Sequence, residues 1–207
     1  MFKNILLVGA EVHSKGLDKT PRGRDISVLF GDGAGAVVIS HKDLQNPKKD
    51  SYVYSTHLHA DGSYAKILWA AAPGSACHPT DRINHEMIDN NLHFGYMEGK
   101  KVFVHAVEKM GEVLGECLEF NKISPNDVDL FLFHQANLRI NEAVTEKFKL
   151  DPSKVFNTIQ KYGNTTAATI PLGMHDAIKA GKLQKGMLVA TAAFGSGFTW
   201  ASGLFRY

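Results

Sequence analysis

Only two cysteines, Cys77 and Cys117, occur in 207 residues. They cannot make a disulfide framework, and free thiols fit a reducing, cytoplasmic compartment. Long apolar runs are lacking too, and no stretch suffices to span a bilayer. Ile5 to Ala10, after Lys3, is too short for a secretory signal and reads as a strand. Charge of one sign is scarce: the formal net charge is +2, so no nucleic-acid footprint shows at the whole-chain level. His57 and His59 share a strand face, but no third ligand stands at recognisable spacing, so no metal is expected. Cys77 has no base at a known spacing. Internal repeats and low-complexity segments are absent. What remains is 44% hydrophobic and 21% charged, the composition of a globular protein able to bury a substantial core.

The chain is organised around Phe131-Leu-Phe-His-Gln-Ala-Asn-Leu-Arg139. The apolar run Val128 to Phe133, with one acid at Asp129, predicts a short strand buried on both faces. Asn137 then caps a helix whose stripe is Ile140, Val144 and Phe148, with Ala143 beside it. A polar cluster at the carboxyl end of a buried strand, before a helix, is where open α/β sheets hold ligands. A histidine pinned in the core by its neighbours fits this stretch equally well. Lys161-Tyr-Gly-Asn164-Thr-Thr-Ala-Ala repeats the layout, with an expected strand at Lys154 to Asn157, a polar turn and a small-residue helix start.

In chain order, Asn4 to Ala10 reads as a buried first strand, which implies chain before it. Glu11 to Arg24 is a polar surface connection. Gly31-Asp-Gly-Ala-Gly-Ala36 precedes a β-branched strand, Val37 to Ser40, and a phosphate cradle needs a helix there instead. These glycines therefore predict a bulge or backbone packed too closely for side chains. Tyr52 to His59 is strand-like and Ala60 to Ser63 a turn. Residues 70 to 91 are expected to form a long loop of the kind that often serves as a lid or partner contact. A long helix is expected from Met97 to about Phe120, and another from about Thr166 to Ala180, ended by Gly181. Strand Met187 to Ala193, the turn Phe194 to Gly197 and strand Phe198 to Phe205 close the chain as a hairpin.

His134-Gln-Ala-Asn137, Gly163-Asn164-Thr-Thr-Ala, Gly31-Asp-Gly-Ala-Gly and Phe194-Gly-Ser-Gly-Phe-Thr-Trp200 occur in the order found in ketoacyl-acyl-carrier-protein synthase III. His57-Leu-His-Ala-Asp-Gly-Ser63 and Met97-Glu-Gly-Lys-Lys-Val-Phe103 are similar to its motifs as well. The sequence thus resembles the C-terminal portion of that family of thiolase-like condensing enzymes. The resemblance implies an α/β fold, the second half of the two-half thiolase-like architecture, with mixed sheets between helix layers. It divides the chain into residues 1–90, the end of the N-terminal half with a connecting loop, and residues 91–207, the C-terminal half. The family's nucleophilic cysteine lies upstream of the first strand here, and neither Cys77 nor Cys117 takes its place.

The resemblance also implies roles. In the family an acyl group passes from acyl-CoA to a cysteine, and malonyl-acyl-carrier-protein is decarboxylated to give the attacking carbanion. The product is a 3-oxoacyl-acyl-carrier-protein, the first condensation of fatty acid synthesis. His134 and Asn164 correspond to the donors that stabilise the malonyl thioester oxyanion, a task suited to neutral N–H groups. Gly195, Ser196 and Gly197 correspond to the oxyanion turn, with Ser196 where the family usually has glycine. Gly99, Phe103 and Asn137 fall at the CoA pantetheine arm. Gln135, Ala136, Asn137, Leu138, Arg139 and Lys147 fall on the carrier-protein docking helix, while Val104 stands where many members carry lysine. A homodimer is implied, with no cofactor, no metal, no nucleic acid and no membrane. Two classes remain: a condensing enzyme that lacks its cysteine segment and is inactive as this fragment alone, or a non-catalytic half that binds an acyl carrier or CoA or serves as a subunit.

Overall fold

The computed structural model describes residues 2–46, 49–74 and 82–207. Cys77 and the middle of the expected loop lie outside them. The sheet at the centre has four strands in the order β3 (Tyr52–Ala60), β8 (Thr199–Arg206), β7 (Leu188–Gly195) and β6 (Leu130–Phe133). β6 pairs parallel to β7, and the other pairs are antiparallel, so the sheet is mixed. Such a sheet with helices on both faces makes the fold α/β.

Alternation along β6 explains the layering. Phe131 and Phe133 point into one core with helix α3 (Gly99–Phe120) and helix α4 (Leu138–Lys147), where Met110, Leu114, Cys117, Ile140 and Val144 are buried. Leu130 and Leu132 point the other way, against Ala177 of helix α6 (Thr169–Lys179). All four β6 residues are buried, as expected of a strand covered on both faces. Asn137 caps α4 by accepting the Arg139 N–H, and Gly181 ends α6 with φ +69.

A separate ribbon pairs β1 (Asn4–Glu11) with β2 (Gly33–Ser40), in register from Asn4↔Ser40 to Glu11↔Gly33. The glycines at 31, 33 and 35 belong to this ribbon and its approach, as close packing requires. A Cβ on Gly35 would lie 2.6 Å from Pro171, and one on Gly9 2.4 Å from the Ala167 carbonyl oxygen. The expectation of a buried first strand is corrected: Ile5, Leu6, Leu7 and Val8 are all at least half exposed. β1 has one partner strand, and over residues 5–8 neither face of the ribbon is covered.

Two local expectations also change. Lys154 to Asn157 is no strand: Lys154 ends a short 3-10 helix, Pro152–Lys154, and Val155 makes a single parallel bridge to Phe131. Within residues 70–91, Asn84 caps a short helix, His85–Asp89, through the Met87 N–H. Arg24–Ser27 forms a helical turn ahead of the glycines. The expected boundary at residue 90 has sheet on both sides, because β3 is hydrogen-bonded to β8.

Candidate active site

β6 delivers His134 to its carboxyl end, where the His134 N–H still donates to Ala192 O at 2.8 Å. The ring is half-buried, with an edge on a cleft of about 690 Å³ lined also by Thr166, Ala167, Phe194, Gly195, Ser196 and Trp200. Burial of the ring pushes its pKa down to about 4, since a charged imidazolium would lose its hydration there. His134 is therefore neutral at pH 7. Its Nδ1 lies 2.8 Å from Thr169 Oγ1.

Asn164 sits on the turn that leads to Thr169. It is buried and held from two sides: its N–H donates to Leu29 O at 2.8 Å, and Gly31 N–H donates to its carbonyl at 3.0 Å. Gly31 is the only residue type that fits this approach, because a Cβ there would lie 2.0 Å from Tyr162 O. Gly163 adds a left-handed φ of +68 at the same crossing. The Asn164 Oδ1 accepts the Thr166 N–H at 2.9 Å, which turns Nδ2 into the donor end of the amide. His134 and Asn164 thus meet on one turn, through Thr169 and Thr166. Thr166 has φ +40, strained backbone for a β-branched residue, and its buried hydroxyl has no partner.

The hairpin between β7 and β8 brings Gly195 and Ser196 into the same cleft. Gly197 takes φ +136, whereas Ser196 has no positive φ, so a side chain is tolerated where the family usually has glycine. Phe198 anchors the turn through a reciprocal backbone pair with Asp61, at 2.7 and 2.8 Å.

Two models of one family match the chain. 3-Oxoacyl-[acyl-carrier-protein] synthase III covers residues 1–62, and its C-terminal model covers residues 118–207. The synthase III of Campylobacter fetus is 40% identical over 99% of this chain, and that of a Sulfurovum strain 41% over all of it. The chain belongs to the 3-oxoacyl-[acyl-carrier-protein] synthase III family. It spans 59% and 58% of those two relatives' lengths. The synthase III structures from Aquifex aeolicus and Thermus thermophilus superpose with TM-scores of 0.83 and 0.84, at 40% and 35% identity. Each superposition covers 99% of this chain and 58% or 59% of the other, and the fold is thiolase-like.

The family resemblance placed further residues at substrate surfaces, and their surroundings differ. Leu138, Arg139 and Lys147 are exposed along α4. Gln135 is 2% exposed, so it has no face to offer a docked protein. Its amide instead donates to Phe133 O and accepts from the Thr158 and Ile159 N–H groups, holding the strand end to the next turn. Ala136 and Asn137 are half-buried, Phe103 packs against the core, and Gly99 opens α3. The residues that sequence reasoning missed are Thr169, Thr166 and the Leu29–Gly31 clamp. Their only signal was a glycine string and a threonine repeat, neither of which names its partner.

His57 and His59 share one carboxylate, with Glu116 at 3.2 and 2.6 Å. Among the described residues no cluster suited to a metal occurs.

Proposed function

We propose that this chain supplies the decarboxylation and oxyanion groups of a condensing enzyme that joins an acyl-CoA-derived acyl group to malonyl-acyl-carrier-protein, yielding 3-oxoacyl-acyl-carrier-protein. The observation that supports this reading is that His134 and the glycine turn line one cleft, with the Asn164 amide tied to its wall through the Thr166 N–H. Decarboxylation of a malonyl thioester builds charge on the thioester oxygen, and preorganised N–H donors lower that barrier most in a site with little water. The Asn164 Nδ2 and the His134 ring are the groups for that oxygen. The backbone N–H groups at Gly195, Ser196 and Gly197 serve the acyl oxygen in the transfer and condensation steps.

The acyl group needs a thiolate. Cys117 is fully buried in the α3 core, out of reach of a docked thioester, so the nucleophile in this reading comes from outside the described residues. The acyl carrier docks along α4 at Arg139 and Lys147, with the CoA arm toward Gly99, Phe103 and Asn137. A cytoplasmic homodimer accompanies this reading.

The test is decarboxylation of malonyl-acyl-carrier-protein by the purified chain, alone and with a cysteine-bearing N-terminal segment supplied. Carbon dioxide release that falls ~10²–10³-fold in His134→Ala and Asn164→Ala supports the reading. Equal release from wild type and both variants would remove it.

A further inference from the structure

Thr169 Oγ1 lies 2.8 Å from His134 Nδ1 and also 2.8 Å from the Thr166 carbonyl oxygen. A hydroxyl carries one hydrogen, and a carbonyl has none to give. Both contacts are hydrogen bonds in one arrangement only: the hydroxyl donates to Thr166 O, and a proton on His134 Nδ1 donates to the hydroxyl. The opposite assignment leaves two oxygens facing each other at 2.8 Å with nothing between them. A threonine that bonds the carbonyl three residues back, at the start of a helix, is a common arrangement.

We propose that Thr169 is a positioning residue that fixes His134 in the tautomer with its proton on Nδ1, so that Nε2 meets the cleft as a proton acceptor. The ring is neutral, so one nitrogen carries the proton and the other a lone pair. The geometry stands without the functional reading; its use rests on that reading. A cysteine thiol brought to the cleft gives its proton to Nε2, leaving a thiolate and an imidazolium. The thiolate forms the new thioester bond, the carbon–sulfur bond to CoA breaks, and the CoA thiolate takes a proton from water. The hydrogen now on Nε2 is the N–H donor that decarboxylation requires. It returns to the cysteine sulfur when the condensation expels that thiolate. His134 is therefore a base before it is a donor, and Thr169 sets that order.

The experiment is long-range ¹H–¹⁵N correlation of the histidine rings in the labelled 207-residue chain at pH 7, with the His134 signals identified by their loss in His134→Asn. The expected pattern is a protonated Nδ1 and a lone-pair Nε2. Thr169→Val removes the acceptor and moves the tautomer ratio toward Nε2–H by about five-fold, the size of one neutral hydrogen bond. Thr169→Ser keeps the wild-type pattern. A wild-type ring protonated mainly at Nε2 overturns the proposal, and this arm stands even if Thr169→Val does not fold. A folded Thr169→Val with an unchanged ratio overturns it as well. Absent decarboxylation with the cysteine-bearing segment and acyl-CoA supplied, and the Nδ1–H pattern intact, counts against the functional reading alone.

Discussion

At the scale of single residues, the cleft depends on groups held neutral or oriented by one neighbour each. The Asn164 side chain is oriented by a single bond from the Thr166 N–H. Asn164→Asp keeps that bond but replaces the donor end with an oxygen. Malonyl decarboxylation should then fall about as far as with Asn164→Ala, ~10²–10³-fold. A carbon dioxide assay on the two variants side by side checks this; near-wild-type release from Asn164→Asp would mean that Nδ2 does not face the oxyanion. His134 gives a pH prediction. Its pKa falls from an ordinary 6.5 to about 4 on folding, so between those values the unfolded chain binds more protons. Stability therefore declines as pH drops from 6.5 toward 4 and levels off below. The contribution lost is on the order of 3 kcal/mol at 1.36 kcal/mol per unit. Urea unfolding of wild type and His134→Asn across that window measures it, and parallel curves would contradict the buried neutral ring.

At the scale of elements, two crossings set the site. One is the Leu29–Gly31 segment against Tyr162–Asn164, where backbone meets backbone without room for a methyl group. Gly31→Ala forces the clamp apart, and Asn164 moves with it. The expected result is a loss of decarboxylation, with the β6–β8 sheet still folded, read as unchanged far-ultraviolet circular dichroism. Full activity in folded Gly31→Ala would show that Asn164 is positioned by its own turn alone. The other crossing is α3 on the sheet. Leu114 is 1% exposed among Met110, Phe131 and Leu204. Leu114→Ala should cost ~2–5 kcal/mol in denaturant unfolding, the range for a buried leucine in a core that collapses only partly. A loss under 1 kcal/mol would mean that α3 packs loosely.

At the scale of the whole molecule, the surface is large for its mass. A 22.7 kDa chain exposes 12,719 Å² here, against roughly 9,500 Å² expected for a compact monomer of that size. Part of the excess is apolar and gathered on the ribbon, where Ile5, Leu6, Leu7, Val8, Val38 and Ile39 lie open. An open strand pair with such side chains invites association. The chain alone should bind a hydrophobic dye and sediment as more than a monomer, and Leu6→Lys with Val38→Lys should reduce both. A dye-silent monomer at tens of micromolar, a concentration where such surfaces normally associate, would refute the surface argument.

Several features were already decided by the sequence, because each is written in neighbouring residues. The β6 run is apolar throughout, Asn137 caps from its own position, α3 carries its stripe at helical spacing, and Gly181 stops α6. His134 and Asn164 stood out in the sequence through motif order, each at a strand end or turn beside a helix. Only the tertiary structure decided what touches them. Thr169 reaches His134 across 35 residues, and Leu29 and Gly31 grip Asn164 from more than 130 residues away in sequence. Neither partner leaves a periodic trace, since a hydrogen bond across a turn depends on backbone direction and not on spacing. The exposure of β1 was equally hidden. Its apolar run says that the strand has something to bury, and only the structure shows that residues 5–8 have nothing against either face.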